Sequence, residues 1–214
     1  MEEVKITWIG HASFMLETAN KRVYIDPYKL TTEFKEKPAD GVLITHEHGD
    51  HFDADSLEII VHPKTELICP ATCEGPMTQF GAKGLKPWEK STLCGFDVEA
   101  VPSYNPNKKF HPKVNEWLGY IIKIEDQRIF HTGDADFIPE YEQLKGKVDV
   151  ALLPVGDNYT MNFADGLKTV AAIEPKIVIP MHLWEKDPQE FKLQCEQAYP
   201  QTQVEDLSHK SLNL

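Results

Sequence analysis

The chain has 214 residues, 41% of them hydrophobic, and carries 34 Asp and Glu against 22 Lys and Arg, a formal net charge of −12. That length suits one domain whose core needs no disulfide or structural-metal staple. The acidic balance argues against general affinity for nucleic-acid backbones, which needs clustered Lys and Arg, and no apolar run approaches the ~20 residues of a membrane-spanning helix.

The acidic start, Met1 to Lys5, runs directly into a strand pattern and shows no signal peptide. Residues 4–9 alternate cleanly and predict a half-buried strand. Gly10, His11, Ala12 and Ser13 make a tight connection to a second strand at 14–18, and a third over 22–25 ends on Asp26 and Pro27. The opening is therefore a β-meander whose connections carry His11 and Asp26. Residues 28–40 are polar, hold Pro38 and read as a loop. Gly41 to Ile44 has the length and content of a buried strand. It leads into Thr45-His46-Glu47-His48-Gly49-Asp50-His51, where three imidazoles and Asp50 crowd one short loop. Asp53 to Ile60 then has the capping residues of a helix start.

A short strand at 65–69 and a helix through 71–80, broken by Gly81 and Gly84, come next, then strands over 91–102 around Gly95. Residues 103–116 hold two prolines and no periodicity; a loop of that length inside a compact domain is more often functional than idle. Strands resume at 117–124 and 128–131, the second ending in His131-Thr132-Gly133-Asp134. A short helix from Pro139 to Lys145 and a buried strand from Val148 to Pro154 follow. A helix then runs from Asn162 or Asp165 to about Ile173, a strand at 176–180 ends at Met181 and His182, and a last helix covers 187–198. There is no repeat, low-complexity tract or linker, so 1–214 reads as one domain. Strands and hairpins first, then interleaved strands and helices, suggest two packed sheets with helices outside. Cys69, Cys73, Cys94 and Cys195 lack zinc-ribbon spacing and read as reduced thiols, which implies a cytosolic (cytoplasmic) protein.

Imidazole and carboxylate are the ligand types of zinc and other borderline first-row metals. Such residues recur at one strand end after another: Asp26, the 46–51 cluster, Asp134 and His182. Strand ends on one edge of a layered fold form a common rim. Two metal ions about 3.5–4 Å apart need six or seven ligands, more than the cluster alone supplies.

His46-x-His48-x-Asp50-His51, with Asp26 upstream and Asp134 and His182 downstream, resembles the metallo-β-lactamase-fold superfamily from Gly10 to about His182. Gly10-His11-Ala12-Ser13, Ile25-Asp26-Pro27, Thr132-Gly133-Asp134, Tyr159-Thr160-Met161 and Ile179-Pro180-Met181-His182 are similar to one branch. It holds the L-ascorbate-6-phosphate lactonase-like proteins and, more remotely, the N-acyl-phosphatidylethanolamine phospholipase D type. The resemblance implies an α+β fold, a four-layer αββα sandwich of two mixed β-sheets flanked by helices. It also implies two divalent ions, zinc first, with manganese or iron as alternatives. His46 and His48 would bind the first, Asp50, His51 and His182 the second, and Asp134 both, with Asp26 behind as an acceptor orienting the loop or a ligand imidazole. The superfamily's further His for the first ion is expected near position 103, where this chain has Ser103-Tyr104-Asn105; His111 is the expected substitute.

The implied activity is that of a metal-dependent hydrolase, with a metal-bridged hydroxide attacking an ester, lactone or phosphodiester of a small substrate, phosphorylated ones included. Asp50 would orient the hydroxide and carry a proton. His11 joins it as a second catalytic candidate, against a structural hydrogen-bonding role. A phosphodiesterase or nuclease is the alternative, opposed by the acidic charge. A diiron oxidoreductase of the same fold would carry Glu in place of His48 and a flavin domain for which there is no room. His131 is read as structural, His62 and His209 as a helix end and a tail, and Asp136 as a turn or cap. Lys108, Lys109 and Lys113 are read as solvated, or alternatively as a lure for an anionic substrate. Tyr104, Asn105, Asn115 and Trp117 are candidate pocket residues.

Overall fold

The computed structural model describes residues 3–208 and 210–214, so the tail reading of His209 lies outside the described residues. The described strands form two sheets of seven. The first holds β1 (Lys5–Gly10), β2 (Ser13–Glu17), β3 (Arg22–Ile25), β4 (Gly41–Leu43), β5 (Glu66–Pro70) and β6 (Lys83–Leu85), with β14 (Ser211–Asn213) on the outer side of β1. In the second, β7 (Lys90–Leu93), β8 (Phe96–Pro102), β9 (Leu118–Ile124), β10 (Gln127–His131), β11 (Val150–Pro154), β12 (Ile177–Met181) and β13 (Gln203–Val204) lie side by side in chain order. Both are mixed: β1 to β3 pair antiparallel and β3 to β6 parallel. Likewise β7 to β10 are antiparallel and β10 to β13 parallel.

Successive strand residues point to opposite faces, so each central strand, apolar on both faces, serves two cores. Ile6, Phe14, Leu16, Ile25 and Leu43 of the first sheet meet Leu118, Tyr120, Ile122, Leu152 and Ile179 of the second in one buried cluster. The alternate residues Tyr24, Val42 and Leu67 face outward, in a cluster with Leu57 and Ile60 of α1 (Ala54–Ile60) and beside α2 (Glu74–Phe80). Phe130, Ala151, Leu153 and Val178 do the same under α3 (Phe163–Ile173) and α4 (Pro188–Ala198), which contribute Val170, Ile173, Phe191 and Cys195. The fold is the expected αββα sandwich.

Local differences have local causes. β6, β13 and β14 span three, two and three residues. Their strand character comes from a neighbour's hydrogen bonds, not from their own weak pattern. Part of the 28–40 loop, Thr32–Glu36, winds into a 3-10 turn, and the expected helix after Pro139 is 3-10 over Pro139–Leu144. All four cysteines are free thiols. Burial pushes those of Cys69, Cys73 and Cys94 up to about 12, so they are inert at neutral pH. Among the described residues no helix is long and apolar enough to cross a membrane.

Register decides what the strand ends bring together. Ile25 pairs with Leu43, and the Asp26 amide continues the ladder by donating to the Leu43 carbonyl at 3.0 Å. That places Asp26 against Thr45. In the second sheet His131 pairs with Leu152 and Pro154 with Met181, which brings Asp134 and His182 to the same rim.

Candidate metal centre

Asp26 is the buried support of the cluster loop. Its Oδ1 accepts from the Thr45 amide at 2.8 Å, and its Oδ2 from the Thr45 hydroxyl at 2.6 Å and from His51 Nδ1 at 2.7 Å. Having given its proton to Asp26, the Thr45 hydroxyl accepts from His46 Nδ1 at 3.0 Å. One carboxylate thereby fixes two imidazoles, His51 directly and His46 through a hydroxyl, each with its Nε2 lone pair facing the rim. On the other side Asn105 Oδ1 accepts from His111 Nδ1 at 2.6 Å, which frees His111 Nε2 in the same way. The 103–116 loop holds this pose because the Asn105 amide also donates to the His111 carbonyl at 2.8 Å.

The freed nitrogens converge. Potential donor atoms of His46, His48 and His111 lie within 4.8 Å of one another, as do those of His46, His51 and Asp134, and those of His11, Asp50, His51 and His182. Asp134 Oδ2 is 3.1 Å from His182 Nε2, 3.3 Å from His51 Nε2 and 3.5 Å from His111 Nε2. None of the three nitrogens makes a hydrogen bond, and Asp134 Oδ1 is unpartnered as well. Buried polar atoms are rarely left this way. Ligand bonds of 2.0–2.1 Å in a tetrahedral site put neighbouring ligand atoms about 3.3–3.4 Å apart, so these unbonded contacts have the length of coordination edges. The donor set fits divalent metal ions.

Electrostatics agree with the need for deprotonated ligands. Burial holds His46 well below the ordinary imidazole range and His48 below it, and lowers His111 to about 4 against the pull of Asp134. His51 is the exception. Burial pushes it down, but Asp134 and Asp26 flank it and together raise it well above that range. Burial pushes Asp134 up, and the charges of His51 and His182 outweigh this and hold it well below the carboxylate range. Asp50 also stays low despite burial, chiefly through His11, whose Nε2 lies 3.0 Å from Asp50 Oδ2. The His11 ring lies 3.9 Å from that of His182, centroid to centroid.

Several of these residues sit on strained backbone. His11, Asp26, His182 and Trp184 have φ of 52°, 46°, 51° and 50°, in the left-handed region that L side chains avoid. Gly156 makes the His182 segment possible: a Cβ there would come 1.9 Å from the His182 carbonyl oxygen and 2.9 Å from Trp184.

A pocket of about 280 Å³ opens over the donors, lined by His48, Asp50, His111, Asp134 and His182 together with Phe110, Tyr159 and Trp184. Of the candidate pocket residues, none lines it. Asn105 stands behind His111. Trp117 packs its ring 4.8 Å from His46, Tyr104 bonds Glu140 at 2.9 Å, and the Asn115 carbonyl accepts from Thr72. His131 uses both nitrogens structurally, one on the Ala12 carbonyl at 2.8 Å and one on the Gly133 amide at 3.1 Å. His62 accepts from the Lys64 amide just beyond α1. Asp136 pairs with Lys108 at 2.8 Å, so it is a tie between loops and not a cap. Two further residues shape the site: Thr45, whose sequence signal is a hydroxyl directly before the first imidazole, and Trp184, whose only signal is its nearness to His182.

Residues 5–182 match the Beta-lactamase superfamily domain. The UPF0173 metal-dependent hydrolase of Archaeoglobus fulgidus is 34% identical over 209 residues, 88% of this chain and 89% of its own length. A crystal structure from Parabacteroides distasonis, 33% identical, superposes with a TM-score of 0.86 over 95% of this chain and 92% of that one. Igni18, a metallo hydrolase from Ignicoccus hospitalis, is 28% identical with a TM-score of 0.83, covering 99% of this chain and 98% of its own. This chain belongs to the beta-lactamase superfamily and, within it, to the UPF0173 family.

Proposed function

We propose that this protein is a metal-dependent hydrolase that cleaves an ester, lactone or phosphodiester bond of a small substrate at a two-ion centre, zinc being the first choice of metal. The observation that carries this reading is the set of buried, unpartnered atoms around Asp134: His51 Nε2, His111 Nε2, His182 Nε2 and Asp134 Oδ1. His46, His48 and His111 would hold one ion, Asp50, His51 and His182 the other, and Asp134, within reach of both groups, would be shared. The A. fulgidus relative, a metal-dependent hydrolase, and the I. hospitalis relative, a metallo hydrolase, agree with the reaction type.

Bound there, such ions lower the pKa of water towards ~7 and make hydroxide available at neutral pH. The chain's own residues do the rest. Asp50 faces the pocket with Oδ2 held by His11 Nε2, which is the placement of a carboxylate that takes a proton from the nucleophile and passes it towards the leaving group. His11 orients that carboxylate, and its tilted ring contact with His182 at 3.9 Å limits both rings. Asp26 and Asn105 keep three of the imidazoles in one tautomer.

Chelator-treated protein, reloaded with zinc, manganese or iron(II), is to be assayed on aryl and alkyl esters, lactones and phosphodiesters. Metal-restored hydrolysis of at least one class, absent in Asp134→Ala, is the expected result. A fully metal-loaded protein that cleaves none of them would defeat the reading.

A further inference from the structure

The pocket mouth is aromatic and uncharged apart from the metal-facing groups. Phe110, Tyr159 and Trp184 come from three different loops, yet their rings touch in sequence. Phe110 and Tyr159 meet edge to face at 4.6 Å, Tyr159 and Trp184 lie tilted at 5.9 Å, and Trp184 continues the belt to His182 at 5.7 Å and to His11 at 5.8 Å. Phe110 is 52% exposed and Trp184 54%, and they are two of the four large hydrophobic side chains left exposed among the described residues. Holding an indole out to water on a left-handed backbone residue, beside a glycine that makes room for it, is costly unless something covers it.

Charge narrows what that can be. No Lys or Arg lines the pocket. Lys108, two residues before Phe110, is spent on Asp136 and on the carbonyls of Asp157 and Thr160. Lys113 is paired with Glu140 at 2.7 Å and Lys186 with Asp157 at 3.3 Å; Lys109 is exposed and outside the lining. Lys108 and Lys113, which could draw in an anionic substrate, therefore act as ties between loops, and Lys109 stands outside the pocket lining. About 280 Å³ is at the small end of the range for ligand pockets.

We infer that the substrate is a small ester or lactone carrying, away from the bond cleaved, an uncharged flat aromatic or unsaturated group, which Phe110, Tyr159 and Trp184 hold beside the metal-facing residues. The inference rests on the hydrolase reading for the bond cleaved, and on the aromatic belt alone for the group recognised. Aromatic pairs in edge or offset geometry outweigh alkyl contacts of equal area. The aromatic group is then the part of the substrate that sets affinity.

Binding and turnover separate the two readings. Three uncleaved probes are titrated into the metal-loaded protein by ligand-observed NMR: acetanilide, N-butylacetamide, and acetanilide bearing a 4-sulfonate. Turnover of phenyl acetate and butyl acetate is measured in parallel. Acetanilide is expected to bind about tenfold more tightly than either other probe. Trp184→Ala should erase most of that preference with metal content unchanged, and Trp184→Phe should keep it. Because Trp184 is close to His182, Phe110→Ala and Tyr159→Ala serve as second tests, each expected to weaken acetanilide severalfold and N-butylacetamide little. Equal or tighter binding of the alkyl or sulfonated probe, or a preference for acetanilide that survives all three alanine variants, overturns the inference. Absence of turnover with the binding preference intact would count against the hydrolase reading and not against the aromatic belt.

Discussion

The two halves of the proposed centre are built from similar side chains and supported in different ways. His46, His48 and His111 form a half with no carboxylate of its own, and its outlying member is oriented by a neutral amide, Asn105. Asp50, His51 and His182 contain one carboxylate and lean on another, since His51 donates to Asp26. A carboxylate behind a ligand imidazole raises its basicity more than an amide does. Burial keeps the first half neutral, whereas the carboxylates around His51 give the second an excess of negative charge that a divalent cation offsets. The second half should therefore fill first and hold its ion more tightly. Asp26 also reaches the first half through the Thr45 hydroxyl, so the halves are linked behind the rim as well as at Asp134.

The largest effect is expected from Asp134→Ala, which removes the group within reach of both halves. Metal content and hydrolysis should both collapse, with the far-ultraviolet circular dichroism of the fold retained. Next is Asp26→Asn. It should weaken the second half by about 10–100-fold in a competition titration against a chelator, and the first half by less. A loss confined to the first half would reverse the comparison. Asn105→Leu should lower affinity in the first half by about tenfold and leave the second unchanged, because nothing in that half touches the amide.

A control outside both halves has the smallest effect. Asp149 accepts from Arg128 at 2.8 Å and pairs with Lys176 at 2.9 Å. Burial pushes its carboxyl up, but Arg128 and Lys176 overcome this and hold it well below the usual 3.8. A carboxylate depressed in the folded state adds stability above its unfolded value and loses it as pH falls through the folded one. Asp149→Asn should cost about 1–2 kcal/mol at neutral pH, with the gap to the unsubstituted protein closing below about pH 4. Metal affinity should not change.

The fold was legible because its central strands are long apolar runs bounded by turn residues and the helices carry caps such as Asp53 and Asn162. β6, β13 and β14 were not, because an edge strand of two or three residues takes its structure from its neighbour. The site was legible where ligand-type residues end strands, as at Asp26, Asp134 and His182. His111 could be named as a substitute, but its pose depends on Asn105, and a bond across six residues of irregular loop has no period to betray it. Phe110, Tyr159 and Trp184 form a belt only after three loops have folded over one rim. Lys108 and Lys113 show the converse: their positive charge in the sequence is cancelled in the structure by acids 28 and 27 residues away.

The most direct measurement is an anomalous-difference map from crystals of zinc-loaded protein, collected at the zinc edge. Two peaks are expected on either side of Asp134. One should lie about 2.0–2.1 Å from nitrogens of His46, His48 and His111, and the other at ligand distance from Asp50, His51 and His182. No peak at the rim, or a single peak with His111 turned away from it, would contradict the two-ion centre.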